Sequence, residues 1–358
     1  MEVLIVNPIL YTNENRNIKK VNTIKDTMIY DLCLAFKKKG CDVTLAASDL
    51  YKPSENESYP FNIIWMRTRL TKLFPPHTLP YCPKVKKIAN FDLIITSEVF
   101  SLNSLKLALC TPKNLIVWQE LGKHNRIFHG LASKFWYGIV AKIGFKKALI
   151  VARSVQAREF ISKYCKNVSD TIIDHGVNIE KFTPCREKDN QFAISSQLIS
   201  RKHIEKSIEA FAKYLNKYDG SAKLYIMGDG DEKENLRKLA KDLGADKNII
   251  FTGKLGHNEL IEILKKSIAM LVYTQSDLNM VSIVESLSLA TPVITTSVPY
   301  CSSYIESENL GIVDDNWNED DLRRIATSDE YINNCMNYRK YLPTEYKAEQ
   351  FLKVKGLI

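Results

Sequence analysis

Short apolar runs alternate with stretches of helical spacing along the whole chain. Val3 to Val6 has the pattern of a buried strand, Asp26 to Lys39 carries apolar residues at 28, 29, 32, 33 and 36, and Gly40 ends that helix before the run Val43 to Ala46. The chain therefore opens as strand, helix, strand. Further strand-length runs fall at Leu93 to Thr96, Leu115 to Trp118 and Ala148 to Val151, with helical spacing at 136, 139, 140 and 143 between the last two. A second series follows at Phe192 to Ser195, Lys223 to Met227, Ile249 to Phe251, Met270 to Tyr273 and Val293 to Thr296, separated by helical patterns at 203–215, 232–243, 258–266 and 281–289. Such alternation predicts parallel sheets covered by helices on both faces. The expected class is α/β, with two doubly wound, Rossmann-like sheets.

A chain of 358 residues is about twice a typical domain, which agrees with two cores. The boundary is expected near residue 170, giving a first domain over 1–170, a second over 171–337, and a tail, 338–358, that packs back across the first. Parallel sheets bind ligands at the carboxyl ends of their strands, where helix N-termini and backbone N–H groups collect. Chemistry is therefore expected in the cleft that the two domains face.

Composition narrows the class further. With 45% apolar and 25% charged residues the chain is neither disordered nor of low complexity. The most hydrophobic run, Trp136 to Ala152, is interrupted by Lys142, Lys146 and Lys147, so no stretch has the roughly 18 to 20 apolar residues that a bilayer span needs. The start lacks the basic flank of a signal peptide, and eight cysteines occur without any C-x-x-C pair. Reduced thiols, a cytoplasmic setting and no structural metal are the expectation.

The net charge of +9 is unevenly distributed. Residues 1–170 hold 26 basic and 13 acidic side chains, whereas the rest hold 24 and 28. Within the first half, residues 65–150 carry 14 basic and three acidic side chains, interleaved with Trp65, Phe74, Tyr81, Phe128, Phe135, Trp136, Tyr137 and Phe145. A basic surface with exposed aromatics attracts anionic head groups. No nucleic-acid-binding pattern accompanies it, so an anionic membrane surface is the preferred partner and nucleic acid is not. The alternative is a solvated face over a core in which those aromatics are buried.

The segment richest in candidate chemistry is 276–296. A strand ends at Tyr273, a polar loop follows, a helix opens near Met280, and Pro292 restarts the chain into another strand. Free N–H groups at that helix start bind phosphate oxygens, aided by the helix dipole. Asp277 lies just outside the helix and Glu285 inside it, so one carboxylate reaches a sugar near the phosphate while the other accepts hydrogen bonds from ribose hydroxyls. Taken alone, Asp277 is equally a helix cap and Glu285 a surface charge.

These residues do not stand alone. Asp277 and Glu285 with the run Ala290-Thr-Pro-Val-Ile-Thr resemble the E-x7-E motif and the Gly-Thr-Pro-Val-Ile-Ala run of retaining GT-B glycosyltransferases of the family 4 type, the glycosyl transferases group 1. His175-Gly-Val-Asn through Phe182-Thr-Pro, Ser195 to His203 with Glu209-Ala-Phe, Leu224 to Asp231, and Ile249 to Lys254 resemble further motifs of that family in order and spacing. The similarity covers roughly residues 171–300. In the first domain it rests on the strand–helix alternation alone.

The resemblance implies a GT-B fold and transfer of a sugar from a nucleotide diphospho-sugar, with retention at the anomeric carbon, to a lipid-linked saccharide, oligosaccharide or glycolipid in cell-surface polysaccharide assembly. Lys202 would hold the diphosphate, where its ammonium offsets charge growing on the leaving group. Gln197 occupies the place of the family's arginine. Gly228 lies in a matching turn, and backbone groups of Leu278, Asn279, Met280 and Val281 would contact phosphates and sugar. Gly253, Lys254 and Leu255 would border the base, and Glu285 would take the ribose. Asp277, shorter by one methylene than the family's glutamate, stands near the sugar.

UDP is the commonest donor among such proteins, and neither a cofactor nor a metal is expected. Asp229-Gly-Asp231 spells D-x-D but is read as turn chemistry. In the first domain Glu120, after the run ending at Trp118, is the candidate hydrogen-bonding or catalytic group, with Gln119 and His124 beside it. The family's glycine-rich first loop is replaced by Asn7 to Glu14. Location at the cytoplasmic face of the membrane follows from the basic first domain. Two rivals remain: a nucleotide-sugar epimerase on the same fold, and a non-catalytic GT-B partner subunit.

Overall fold

The computed structural model describes the chain except for residues 12–22, 55–56, 76, 89, 126, 276 and 278–279. Among the described residues two six-stranded sheets form, every pairing parallel. In the first, β1 (Glu2–Val6), β2 (Asp42–Ser48), β3 (Asn62–Met66), β4 (Leu93–Ser97), β5 (Leu115–Gln119) and β6 (Leu149–Ala152) lie in the order β3-β2-β1-β4-β5-β6. In the second, β7 (Gln191–Ser195), β8 (Lys223–Met227), β9 (Ile249–Gly253), β10 (Ala269–Leu271), β11 (Val293–Thr295) and β12 (Gly311–Val313) lie in the order β12-β11-β10-β7-β8-β9. Each order reverses once, between β1 and β4 and between β7 and β10. Those two gaps are the places where such sheets leave room for ligands.

Two strands escaped the sequence reading. β12 opens on Gly311 and runs directly into Asp314-Asp-Asn, which leaves only Ile312 and Val313 as an apolar signal, and β3 is an edge strand that stays partly exposed along most of its length, so its apolar run is not matched by burial.

The chain divides into two compact units, residues 1–176 with 344–358, and residues 177–343. The first division falls after Gly176, beyond the expected 170. A Cβ at Gly176 would lie 2.7 Å from the Cα of Thr344, so only glycine permits the two segments of this unit to pass so closely. The last helix, Thr344–Val354, then packs on the first, Met28–Lys38. Phe351 meets Phe36 at 6.2 Å and Trp118 at 5.2 Å between ring centroids. Lys38–Glu345 at 2.8 Å and Lys39–Glu349 at 2.6 Å flank this contact. Burying one phenylalanine is worth about 2–3 kcal/mol, against at most about 1 kcal/mol for each exposed ion pair, so the aromatic contact anchors the helix.

The basic stretch carries fewer exposed aromatics than its sequence suggests. Tyr137 and Phe145 are fully buried, Trp65, Phe74, Tyr81 and Trp136 are partly buried, and Phe135 stands out at 62% exposure. Phe128 lies outside the residues whose side chains are described. Among the described residues no helix is long and apolar enough to cross a membrane.

Candidate functional site

In the second unit the switch point is lined by the turn after β7 and the loop after β10. Helix Ile204–Lys217 begins at His203, which adopts φ +46°, and buries Ile204, Ile208, Phe211 and Tyr214 against the sheet. That packing fixes the short turn Ser200–Lys202 just before it. Across the gap, β10 ends at Leu271 and leads through Thr274 to Asp277.

Asp277 receives two cations there. Lys202 Nζ donates to Asp277 Oδ2 at 2.8 Å, and Arg201 Nη1 donates to Asp277 Oδ1. Thr274 Oγ1 donates to Oδ2 at 2.9 Å and accepts from the Asp277 backbone N–H at 3.2 Å. Burial pushes the Asp277 carboxyl upward, but the hydrogen bond and charge of Lys202, with Thr274 and Arg201, outweigh it and hold the group below its ordinary value. Two positive groups thus share one negative group, which leaves a net positive charge at the mouth of the sheet. Lys202 is largely buried whereas Arg201 is 44% exposed along its side chain. The sequence does not single out Arg201, since its neighbour Lys202 takes the place of the resembled family's motif lysine and Gln197 that of its arginine.

The remaining candidates in this unit fall around the same sheet end. Gln197 is exposed in the loop after β7. Gly228 is held at φ +150° by Ser196, whose carbonyl oxygen would lie 1.8 Å from any Cβ, and its N–H donates to the Gly253 carbonyl at 3.0 Å. The turns after β7, β8 and β9 are therefore locked together by backbone contacts. Gly253 has φ +73°, Lys254 is exposed and Leu255 partly buried. Met280 is buried and immediately precedes helix Val281–Ser288, of which Val281 is the first residue. Leu278 and Asn279 lie outside the described residues. Glu285, partly buried on that helix, faces His257 Nε2 at 3.1 Å, a partner not legible from motif spacing. Asp229 accepts from the Gly230 N–H at 3.0 Å and lies 3.4 Å from Lys233, both within its own turn and the helix after it. Among the described residues no group of three His, Cys, Asp or Glu side chains is placed to hold a metal.

The first unit gathers a separate cluster at the ends of β4, β5 and β6. Glu120 accepts from Arg153 Nη1 at 2.9 Å. The buried Arg153 guanidinium lies 3.7 Å from the Trp118 ring centroid, and the same nitrogen is 3.3 Å from His175 Nε2. Burial, with Arg153 and Lys347 nearby, lowers the His175 pKa well below its usual value, so the ring is neutral. Its Nδ1 is buried without a hydrogen-bond partner.

Glu98, unremarked in the sequence, closes this cluster. It follows β4 with φ +65°, a conformation that costs a non-glycine residue about 1–3 kcal/mol, and its carboxylate accepts the backbone N–H groups of Glu120 at 2.8 Å and Leu121 at 3.3 Å. Desolvation and the neighbouring Glu120 charge raise its pKa to about 7, against the pull of Arg153 and the two N–H groups. Its signal was invisible in one dimension: a lone glutamate after a strand. Gln119 and His124, by contrast, are occupied structurally. Gln119 is fully buried, accepting from the Val99 N–H at 2.9 Å and donating to the Leu121 carbonyl at 3.0 Å. His124 meets Ser133 Oγ and Tyr164 Oη at 3.0 and 3.1 Å, which takes up both ring nitrogens.

Residues 178–334 match the model of the family described as glycosyl transferases group 1. The chain is 28% identical to an alpha-monoglucosyldiacylglycerol synthase of Streptococcus pneumoniae over 64% of its own length and 57% of that protein. It is 26% identical to the lipopolysaccharide glucosyltransferase WaaG of Escherichia coli, over 36% of this chain and 33% of the relative. The chain thus spans little more than half, or less, of the curated relatives it matches. Among solved structures, Anabaena Alr3699/HepE in complex with UDP superposes with a TM-score of 0.69 at 12% identity, covering all of both chains. The two sheets and their switch points define a protein of GT-B fold. Its second unit is similar, over residues 178–334, to the glycosyl transferases group 1 family.

Proposed function

We propose that this chain is a glycosyltransferase that moves a sugar from a nucleotide diphospho-sugar to a glycolipid or lipid-linked saccharide, with retention at the anomeric carbon. The observation that carries the reading is the convergence of Lys202 and Arg201 on Asp277 at the switch point of the second sheet. A diphosphate leaving group gains negative charge as the glycosidic bond breaks, and two preplaced cations stabilise that charge without a metal. Glu285, backed by His257, is the ribose-binding group, and Gly253, Lys254 and Leu255 border the base.

UDP is the expected nucleotide, as a similar fold has been solved with UDP bound. The acceptor class is supported by the two curated relatives, one named for a glucosylated diacylglycerol and one for lipopolysaccharide. Acceptor recognition is assigned to the first unit, where Glu98 and Glu120 flank Arg153. A cytoplasmic protein bound at the inner membrane face follows from the basic stretch 65–150.

The test is transfer of labelled sugar from UDP-glucose, UDP-galactose and UDP-N-acetylglucosamine to diacylglycerol or glycolipid in mixed vesicles. Product formation that is lost in Lys202→Ala and Glu285→Ala, with the fold intact, is expected. Conversion of donor sugars without any acceptor would instead identify an epimerase, and inertness toward every donor a non-catalytic partner.

A further inference from the structure

The first unit holds an apolar pocket of about 250 Å³ whose lining begins at Phe100, two residues beyond Glu98. Its walls are Leu73, Phe74 and Leu79 from one loop, Phe100 and Leu102 at the start of helix Leu102–Cys110, and Phe135 with Trp136 from the helical stretch that follows Gly130. The polar groups along it are already used. Trp136 Nε1 donates to the Val99 carbonyl at 2.9 Å, and Ser101 Oγ caps its own helix by accepting the Ser104 N–H. A site so lined offers hydrogen bonds to nothing and favours hydrocarbon.

What surrounds the pocket says which hydrocarbon. The helical stretch runs through Leu131–Phe135, Trp136–Ala141 and Lys142–Gly144 without interruption. Leu131, Phe135, Ile139 and Ile143, four apart, stand 68%, 62%, 51% and 73% exposed, and the lining residue Leu73 and nearby Leu70 are 61% and 60% exposed. Exposed Lys134, Lys142, Lys146 and Lys147 accompany that stripe, and exposed Arg67, Arg69 and Lys72 lie in the segment that leads to the lining residue Leu73. An apolar stripe bordered by cations is the arrangement of a helix that lies in the head-group layer of an anionic bilayer. The stripe runs into the pocket through Phe135, which belongs to both.

We propose that this pocket takes up one acyl chain of a lipid from the bilayer on which the stripe rests, so that the lipid is partly withdrawn from the membrane and held by the first unit. The occupant is a hydrocarbon chain bearing an anionic or glycosylated head group, whose head stays at the lysine rim. The proposal rests on the lipid-acceptor reading above and adds the site that holds the tail.

The experiment uses the full chain with phosphatidylglycerol vesicles containing phosphatidylglycerol with a diazirine on one acyl chain, followed by photolysis and peptide mapping. Label is expected on the 73–79 and 100–102 peptides as well as on 131–143. Ala132→Phe, which fills the pocket from a lining position, is expected to lose the label at 73–79 and 100–102 while co-sedimenting with vesicles as the parent does. Leu131→Ser with Ile143→Ser, on the exposed stripe, is expected to release the protein from vesicles. Label confined to 131, 139 and 143, or unchanged in Ala132→Phe, overturns the pocket, as does failure to bind any vesicle. Transfer of labelled sugar from UDP-sugars to glycolipid in mixed vesicles reads the transferase assignment separately: chain uptake without transfer leaves the pocket standing and removes the enzyme.

Discussion

Lys202 and Asp277, 75 residues apart in sequence, meet in a 2.8 Å ion pair at the carboxyl end of the second sheet. The lysine expected to grip a diphosphate is therefore already matched by the carboxylate expected to face the sugar. An incoming diphosphate has to compete with, or share, that carboxylate for Lys202 and Arg201.

Asp277→Asn removes the competitor and leaves a shape of nearly equal size. Removing one like charge from a partly screened site is worth about 1 kcal/mol, so UDP binding by calorimetry is expected to tighten by about fivefold. Sugar transfer is expected to fall at the same time. Weaker UDP binding would show that Asp277 organises the cations rather than masks them.

Lys202→Ala and Arg201→Ala differ in burial and so in effect. Hydrogen bonds to charged groups are worth about 1.5–3 kcal/mol, and the largely buried Lys202 is expected at the upper end, a loss of about 100-fold in UDP affinity, with Arg201 losing about tenfold. The exposed arginine's share is expected to shrink further in high salt, since its charge is screened more readily. Equal losses at all salt concentrations would contradict this ranking.

Glu98 makes stability depend on pH in a direction opposite to an ordinary surface carboxylate. Its folded pKa is near 7, whereas an unfolded glutamate titrates near 4.3, so the native state binds the extra proton between these values. Its contribution is full below about pH 4.3 and is lost as pH rises through 7. Denaturant midpoints of the Glu98→Gln variant, which keeps the strained backbone but cannot ionise, are expected to fall less than those of the parent between pH 5 and 8. Parallel curves would place Glu98 in water.

Gly228→Ala puts a methyl group 1.8 Å from the Ser196 carbonyl oxygen, and neither neighbour is a flexible side chain. The loops after β7 and β8 must separate to admit it. A loss of roughly 3 kcal/mol or more is expected from the clash and the positive φ together, read as a lower thermal midpoint and weaker UDP binding. Unchanged midpoints would mean that these turns are not locked.

The order of strands and helices was legible because each buried strand and each half-buried helix leaves its own period in the chain. Motif spacing also singled out Lys202 and Asp277, which the fold brings into contact. What the chain could not disclose in one dimension were the pairings. Arg201 on Asp277, His257 opposite Glu285, and Glu98 beneath the Glu120 N–H depend on which loops the parallel sheets bring side by side, and parallel neighbours are distant in sequence. The raised pKa of Glu98 and the apolar pocket behind Phe135 are likewise products of tertiary packing, which exists only once the chain has folded.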